Sequence, residues 1–362
     1  MTASERKMDR RSALGAMSRV ALAGCMLPSL KARSADERPS TGMGLVIYDC
    51  RIRQQWLKKT DPGFDLFDPL TFLKHCKWLG AGGMQAKLSG LDAGGIRSVR
   101  EYAEEQSMFI DAIVSPPKDK ADVGRFETEI RKAADAGVQA VRTVIMPGRR
   151  YEQFQTLAEF KQFEARGRRM VELAAPIVEK HRVPLAIENH KDQRDDERVA
   201  LFEYIDSEFV GACVDTGNSL ALLEDPIETV ERLAPWAKTV HLKDQAVQAY
   251  SDGFLLGDIP LGQGCFDLKR MVEILKKAKP GIRFALELLT RDALKVPCLT
   301  ENFWATMPQV PGADLARTLR IVRDRRADAL QEVSSLPQER QVALEDTNVS
   351  ASLKYARDVL GL

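Results

Sequence analysis

The sequence of 362 residues is poor in histidine and cysteine, and it lacks several patterns that mark common protein classes. Its six cysteines form no Cys-x-x-Cys pair, which argues against cysteine-bound zinc and a disulfide framework. Its 53 basic and 52 acidic residues nearly balance, and no sustained block of lysine and arginine lies outside the N-terminus. We therefore expect no nucleic-acid surface and a small molecule as the partner.

Three further patterns are missing from the sequence. No Gly-x-Gly-x-x-Gly motif follows the first predicted strand, which argues against a dinucleotide-binding domain. No internal repeat is present, and no apolar run beyond the N-terminal segment reaches the length of a membrane span. With 44% hydrophobic residues, the chain can bury the core of one large α/β domain or two ordinary ones.

Residues 1–35 combine a basic start, a mostly apolar stretch and small residues, which predicts an export signal. The pair Arg10-Arg11 matches the twin-arginine type of signal. The segment LAGC, which ends at Cys25, matches the box at which bacterial lipoproteins are cut and lipidated. A conventional cut near Ala35 and an ordinary N-terminal helix are alternatives. We expect a periplasmic protein or a lipoprotein whose membrane attachment is through Cys25 alone.

The charge of the remaining chain agrees with export. The first 35 residues carry seven basic and two acidic side chains, so the remainder has a formal net charge of −4. A mildly acidic chain suits an exported, soluble enzyme, and it argues further against a nucleic-acid partner.

Short apolar runs alternate with amphipathic segments from about residue 44, which predicts repeated βα units around a parallel sheet. Eight such units favour a single-domain (β/α)8 TIM barrel over residues 44–330. Residues 312–331 form the last barrel helix in this interpretation, and residues 331–362 form a C-terminal helical extension. The predicted strands are residues 44–49, 83–88, 108–115, 138–145, 184–189, 210–215, 237–243 and 282–288.

Four consecutive predicted strands each place a polar residue at or near the C-terminal end, where TIM barrels have their active sites. These residues are Glu188, Asp215, His241 and Glu287. Three carboxylates and one imidazole are ligands for a divalent ion, with Mn²⁺, Mg²⁺ or Co²⁺ favoured and Zn²⁺ as an alternative. Each acidic residue alone is typical of a helix cap or a solvated loop, but a charge within an apolar run is costly, and four together indicate one metal site.

The segments "AIENH", "VDTGN", "VHLKD", "LGQG" with the following "FD", and "LEL" resemble, in their order and spacing, the xylose isomerase-like superfamily of TIM barrels. The resemblance is to its sugar phosphate isomerase/epimerase family and covers about residues 44–330. It implies that Glu188, Asp215, His241 and Glu287 bind the metal. It also implies that Glu188 and Glu287 act as the catalytic acid/base pair.

Two glutamates on either side of a metal suit proton transfer at the carbon next to a carbonyl, through an enediolate. Return of the proton to the opposite face epimerises a sugar or polyol, and return to the neighbouring carbon isomerises it. An alternative is a lyase or dehydratase that eliminates a group from the same enediolate, for example from a keto-sugar glycoside. A second alternative is a sugar-binding barrel without catalysis.

Three residues near the predicted ligands are candidates for substrate binding. His190 follows Glu188 by two residues, so an extended strand would direct both side chains to the same side. It either contacts substrate or orients Glu188. Lys243 has the same relation to His241 and either binds a substrate oxygen or lies in water at the strand end. Asn218 stands where many relatives have histidine, and it is expected to contact substrate.

Further candidates lie elsewhere along the chain. Lys87 and Arg142 are cations in predicted strands, where a charge needs a partner, and Lys87 is predicted to bind substrate unless it pairs with a structural carboxylate. Trp304 is predicted to form an apolar wall for a sugar, with plain packing as the alternative. Residues 253–267 are predicted to form a glycine-punctuated turn at the border of the pocket.

Overall fold

Eight parallel strands form a closed barrel in the computed structural model, which describes residues 39–362. The predicted export signal, with its arginine pair and Cys25, lies outside the described residues. The strands in chain order are β1 (Gly44–Val46), β2 (Gly83–Ala86), β3 (Phe109–Ile113), β4 (Val141–Thr143), β5 (Leu185–Glu188), β6 (Val210–Asp215), β7 (Ala237–Leu242), β8 (Asp244–Tyr250), β9 (Gly253–Ile259), β10 (Phe284–Leu286) and β11 (Leu294–Val296).

The barrel closes in the order β1-β10-β7-β6-β5-β4-β3-β2, so each predicted barrel strand is present, although most are shorter than predicted. The (β/α)8 TIM barrel is confirmed. The α-helices are α1 (Arg51–Thr60), α2 (Pro69–Leu79), α3 (Ala93–Glu105), α4 (Val123–Asp135), α5 (Arg150–Gln153), α6 (Leu157–His181), α7 (Asp195–Ile205), α8 (Pro226–Leu233), α9 (Leu268–Ala278), α10 (Glu301–Trp304), α11 (Gly312–Asp324) and α12 (Gln338–Asp358).

Side chains at the loop ends determine where several helices begin. Asp68 accepts a hydrogen bond from the Thr71 amide at 3.0 Å, and Pro69 fills the first position of α2. Asp225 and Pro226 begin α8 in the same way. Thr156 and Glu159 form a capping box on α6. These caps satisfy amides that have no partner within the helix, so each strand-to-helix connection ends at a defined residue.

The chain also forms a second sheet, which was not predicted. It has three antiparallel strands in the order β11-β9-β8 and is separate from the closed barrel. Residues 253–259 form β9, whereas the sequence predicted a turn throughout 253–267. The hairpin residues Phe254 and Leu256 pack with Phe303 and with Val322 of α11 in a hydrophobic cluster of their own. The helix predicted to be the last on the barrel therefore packs against the hairpin.

Helix α12 lies within the predicted extension 331–362. Unlike α11, it packs against the hydrophobic core that contains the barrel strands. Its residues Val349, Leu353 and Ala356 are buried in the same cluster as the barrel strands. Glu345 accepts hydrogen bonds from the first amides of α1, those of Ile52 at 2.8 Å and Arg53 at 2.9 Å. Within residues 39–362, no helix has the length and hydropathy needed to cross a bilayer.

Candidate metal and active site

The four predicted ligand residues come together at the C-terminal ends of four neighbouring barrel strands. Glu188 ends β5, Asp215 ends β6, His241 lies in β7, and Glu287 directly follows β10. The order β10-β7-β6-β5 makes these strands adjacent, and the register pairs Asp215 with His241. All four side chains are buried although the residues are polar. Burial of this much charge requires compensation by ions or hydrogen bonds.

The four side chains share one small volume around the Nδ1 atom of His241. This nitrogen lies 3.4 Å from Glu287 Oε2, 3.5 Å from Glu188 Oε2 and 4.0 Å from Asp215 Oδ2. One ligand atom from each residue lies within 4.8 Å of the others. These separations bring four ligand atoms around a single point.

Gln85 of β2 fixes the orientation of the His241 ring. The Nε2 atom of His241 lies 2.9 Å from Gln85 Oε1, and because an amide oxygen accepts, this nitrogen carries the hydrogen. In the neutral ring the lone pair is then on Nδ1, which faces the carboxylates. Sequence reasoning missed Gln85, because a glutamine inside "GMQAKL" carries no charge and shows no spacing to the ligands.

The residues fit a divalent ion. Among the described residues, Asp215 Oδ2 and His241 Nδ1 are buried polar atoms without an aligned hydrogen bond, and Asp215 Oδ2 has only the Lys243 ammonium beside it. Such atoms are costly unless a ligand satisfies them. Three carboxylates and one imidazole form a donor set typical of Mn²⁺, Mg²⁺ or Co²⁺, and one that Zn²⁺ also accepts.

Two basic side chains already neutralise part of the carboxylate charge. Arg142 of β4 donates from Nε and from its terminal nitrogen to Glu188 Oε2, at 2.6 Å for Nε. Lys243 Nζ lies 2.9 Å from Glu287 Oε2 and 3.1 Å from Asp215 Oδ2. With His241 neutral, as a metal ligand must be, three carboxylates against two cations leave one negative charge, which favours a further cation.

The two cations also control the protonation of the glutamates. Burial is the largest influence on Glu188 and would raise its pKa, but the Arg142 guanidinium together with His241 and His190 lowers that pKa. Burial is likewise outweighed at Glu287, where Lys243 and then His241 hold the pKa well below its usual value. Burial dominates at Asp215 and raises its pKa to about 6, despite Lys243. Both glutamates are therefore ionised at neutral pH.

Side-chain hydrogen bonds to the backbone connect the C-terminal ends of neighbouring strands. Asn189 accepts from the Asp215 amide at 2.7 Å and donates to the Asp215 carbonyl at 2.9 Å, which ties β5 to β6. The Thr216 hydroxyl donates to the Lys243 carbonyl and accepts from the Lys243 amide, both at 2.9 Å, which ties β6 to β7. Because these bonds fix the backbone beside each ligand, the ligand positions are set before any ion binds. No local pattern in the sequence indicates these pairs.

Asn218 contacts a predicted ligand and His190 follows the same residue by two positions; the contact of either with substrate stays a prediction. Asn218 Nδ2 donates to Glu188 Oε1 at 3.0 Å, so it holds a ligand directly. Strand β5 ends at Glu188, so His190 is not in an extended strand, and its Nδ1 lies 3.1 Å from the Gly148 carbonyl. Burial lowers the pKa of His190 to about 4. The neutral ring therefore donates from Nδ1 and presents Nε2 as an acceptor.

The other two predicted substrate-binding residues are not brought into this cluster. Lys87 directly follows β2, is exposed, and forms no hydrogen bond or ion pair with the described residues. Trp304 of α10 donates from Nε1 to the Cys298 carbonyl at 2.9 Å and packs edge-on against Phe303. Their contact with substrate stays a prediction.

The loop "LGQGCFD" is organised by Asp244, a residue that follows the "VHLK" strand. Its carboxylate accepts from the amides of Gly262 and Gly264 at 2.9 Å each, and from its neighbour Gln245 at 2.9 Å. Gly262 has a φ of +82°, and a Cβ at Gly264 would collide with the Asp244 carboxylate. The glycines of this motif therefore let the backbone wrap around one buried carboxylate.

Known proteins resemble this chain in fold and, over part of its length, in sequence. The 3-oxo-isoapionate decarboxylase of Pectobacterium atrosepticum is 27% identical over 133 residues, which cover 36% of this chain and 48% of that protein. The chain thus matches about half the length of this curated relative. A crystal structure of D-psicose 3-epimerase in the presence of D-fructose is 15% identical, with a TM-score of 0.55, covering 82% of this chain and 94% of the other.

A second solved structure, a xylose isomerase-like TIM barrel protein from Mycobacterium smegmatis in complex with magnesium, is 15% identical with a TM-score of 0.51. It covers 77% of this chain and 97% of the other. At these identities both structures establish the fold alone. The sequence profile of the xylose isomerase-like TIM barrels matches residues 73–335, more than half of the chain. The chain belongs to the xylose isomerase-like TIM barrel family.

Proposed function

We propose that this chain is a divalent-metal-dependent isomerase or epimerase of a sugar or related polyol. It would move a proton at the carbon next to a carbonyl, through an enediolate. The observation that carries the proposal is the approach of Glu188 and Glu287 to the same nitrogen, His241 Nδ1, at 3.5 and 3.4 Å. Two ionised carboxylates at one point provide a base and, after protonation, an acid.

Glu188, Asp215, His241 and Glu287 would hold the ion, with Mn²⁺, Mg²⁺ or Co²⁺ favoured and Zn²⁺ as the alternative. When bound, a divalent cation polarises a carbonyl and its neighbouring hydroxyl and makes the adjacent C–H more acidic. The D-psicose 3-epimerase and the magnesium-bound protein support this proposal as members of the same fold.

The chain's own residues supply the proton transfers. One glutamate removes the proton, and the other returns a proton to the opposite face if the product is an epimer. Arg142 and Lys243 keep the glutamates ionised until substrate binds, because each cation pairs with one of them. His190 would accept a hydrogen bond from a substrate hydroxyl through Nε2, and Asn218 would keep Glu188 in position.

A lyase on the same scaffold is the second candidate, and one observation favours it. The curated relative is a decarboxylase, and loss of CO₂ from a 3-oxo acid leaves its electron pair on the carbonyl as an enolate, which then takes up a proton. Elimination of a leaving group from a keto-sugar glycoside or polyol uses the same type of intermediate. The product separates these reactions from isomerisation.

We also propose that the protein is exported, as a periplasmic protein or as a lipoprotein anchored through Cys25. Cell fractionation, with mass spectrometry of the mature N-terminus, tests this proposal. A mature chain that begins at an acylated Cys25 would support anchoring, and one that begins near residue 36 would support release. Full-length protein in the cytoplasm would contradict export.

The test of the enzymatic proposal combines metal analysis with isotope exchange. Purified protein is analysed for bound metals, loaded with Mn²⁺, Co²⁺, Mg²⁺ or Zn²⁺, and incubated in D₂O with free ketoses, aldoses and keto-glycosides. About one metal per chain, with deuterium entering a substrate C–H, is the expected result. An isomer, an epimer or an elimination product then identifies the reaction class.

Two outcomes contradict the proposal. If none of the four metals binds, the four ligand residues are structural. If metal and sugar bind but no C–H exchange or product is found with any substrate, the chain is a sugar-binding barrel without catalysis, the remaining alternative.

A further inference from the structure

Lys191 is a buried cation without an acidic partner. The side chain is 2% exposed, and its ammonium donates to the amide oxygen of Asn218. No carboxylate of the described residues lies within 4.0 Å of its Nζ atom. Burial of a charge without a counter-charge is among the most costly arrangements in a protein.

The other buried lysine and arginine residues of the described chain all have such a partner. Arg142 pairs with Glu188, Arg150 with Glu197 at 2.7 Å, Arg198 with Asp192 at 2.9 Å, and Lys243 with Glu287 at 2.9 Å. Lys191 is thus the exception among five. Asp215 and Asp258 act on its charge only from beyond the distance of an ion pair.

The unbalanced charge lies next to the candidate site. Lys191 contacts Asn218, and Asn218 in turn donates to Glu188 Oε1, so one amide separates the ammonium from a predicted metal ligand. The Lys191 carbonyl accepts from the Arg150 amide at 2.7 Å, which fixes the backbone of the loop. The ammonium is therefore held in place one side chain away from Glu188.

We propose that Lys191 forms an anion-binding subsite, and that the substrate carries a carboxylate or a phosphate group which pairs with its ammonium. The inference rests on the proposed function, because it places the anion on the molecule that the four ligand residues act on. An anion would supply the charge that Lys191 lacks. It would also offset the excess positive charge that an added divalent cation gives to the site.

The proton affinity of Lys191 is consistent with this role. Burial, and then the nearby charge of Lys243, lower the pKa of Lys191 to about 8. The group is still mostly protonated at neutral pH, so it can pair with an anion, and the pairing would stabilise the charged form.

The test compares a neutral sugar with two related sugars that each carry one anionic group. D-Fructose and 2-keto-D-gluconate differ at C1, which is a hydroxymethyl group in the first and a carboxylate in the second, and D-fructose 6-phosphate carries the phosphate. Calorimetry measures binding of each probe to metal-free and Mn²⁺-loaded protein. We expect the wild type to bind one of the two anions at least about tenfold more tightly than D-fructose, and Lys191→Met to lose that preference.

Which anion is preferred identifies the source of the charge, a sugar acid or a sugar phosphate. Lys191→Arg should keep much of the preference, and Lys277→Met, which removes an exposed lysine of α9, should keep all of it. The melting temperature of metal-free Lys191→Met should not fall, because its ammonium has no acidic partner to lose. A lysine with a purely structural role would instead lower it.

Three results would overturn the inference: equal binding of the anions and D-fructose by the wild type, no binding of either anion at millimolar concentration, or an anion preference that survives Lys191→Met. These results are independent of turnover. Anion binding without any C–H exchange would contradict the proposed function and leave the subsite standing. C–H exchange without a preference for anions would support the proposed function and contradict the subsite.

Discussion

Two sets of buried carboxylates lie inside this barrel and at its rim, and their surroundings differ. The first set accepts hydrogen bonds from backbone amides or a hydroxyl and has no lysine or arginine of the described chain within 4.0 Å; its members are Asp49, Asp111 and Asp244. The second set, Glu188, Asp215 and Glu287, faces two cations and encloses two buried atoms without hydrogen bonds.

The difference separates structural carboxylates from those prepared for a ligand. Asp111 accepts from the Ala140 amide at 3.1 Å and from the Thr239 hydroxyl at 2.6 Å, which leaves it no need of an ion. Burial raises the pKa of Asp111 to about 6, since neutral donors compensate only in part. Arg142 and Lys243 lower the pKa values of Glu188 and Glu287 despite equal burial. The cations thus favour the charged form of the two glutamates, whereas burial raises the pKa of Asp215 to about 6, as it does at Asp111.

The largest expected effect is on catalysis and comes from the second set. Glu188→Gln and Glu287→Gln should each reduce C–H exchange in D₂O by about 10²- to 10⁴-fold, because each removes an acid/base group. Both should still fold, as judged by circular dichroism and melting temperature. Asp111→Asn is the matched control from the first set and should exchange at the wild-type rate. Wild-type exchange in both glutamine variants would remove the catalytic assignment.

The largest expected effect on stability comes from the first set. Asp244→Ala leaves the Gly262 and Gly264 amides without their acceptor, and it should lower the free energy of unfolding by about 3 kcal/mol. Asp267→Ala is a control in the same segment, because Asp267 caps α9 with a single exposed bond and should cost about 1 kcal/mol. Urea unfolding measures both. Equal losses of unfolding free energy would show that the buried bonds of Asp244 contribute no more to stability than the exposed bond of Asp267.

A third prediction concerns metal affinity. Lys243→Met removes a cation that contacts Asp215 and Glu287, so it should tighten Mn²⁺ binding by about tenfold or more. The metal-free variant should melt at a lower temperature than the wild type, because two buried carboxylates lose a partner. Calorimetric Mn²⁺ titration tests the affinity, with Lys277→Met as the charge control. Weaker binding would mean that Lys243 helps to build the site.

The barrel and the convergence of the four predicted ligand residues could be predicted because both leave one-dimensional signals. A charge that ends an apolar run, such as Glu188 in "PLAIEN", is visible in sequence, and the alternation of strands and helices places four of them on one rim. Arg142 was expected to need an acidic partner for the same reason. The identity of that partner, Glu188, depends on how β4 and β5 pair, which spacing does not reveal.

Other features depend on contacts between distant segments. Gln85 and His241 are 156 positions apart, and no local pattern in either segment announces their hydrogen bond. Lys191 stands out only when its neighbours are known, since a lysine after a strand is usually solvated. The hairpin of β8 and β9 did leave a signal, because Ser251 and Asp252 precede Gly253 between alternating runs. The glycines after Gly253 instead led to the prediction of a turn throughout residues 253–267.

The smallest expected effect tests a structural carboxylate outside the barrel. Burial raises the pKa of Glu345 to about 7, although the amides of Arg53 and Ile52 oppose the shift. A folded-state pKa above the unfolded value of 4.5 means that the folded state holds its proton more tightly. The contribution of Glu345 to stability is therefore greatest below about pH 4.5 and is lost as the pH rises through about 7.

Glu345→Gln keeps an acceptor for both amides but does not titrate, so its melting temperature should fall less than that of the wild type between these pH values. Parallel melting curves across this range would show that Glu345 has the same pKa in both states.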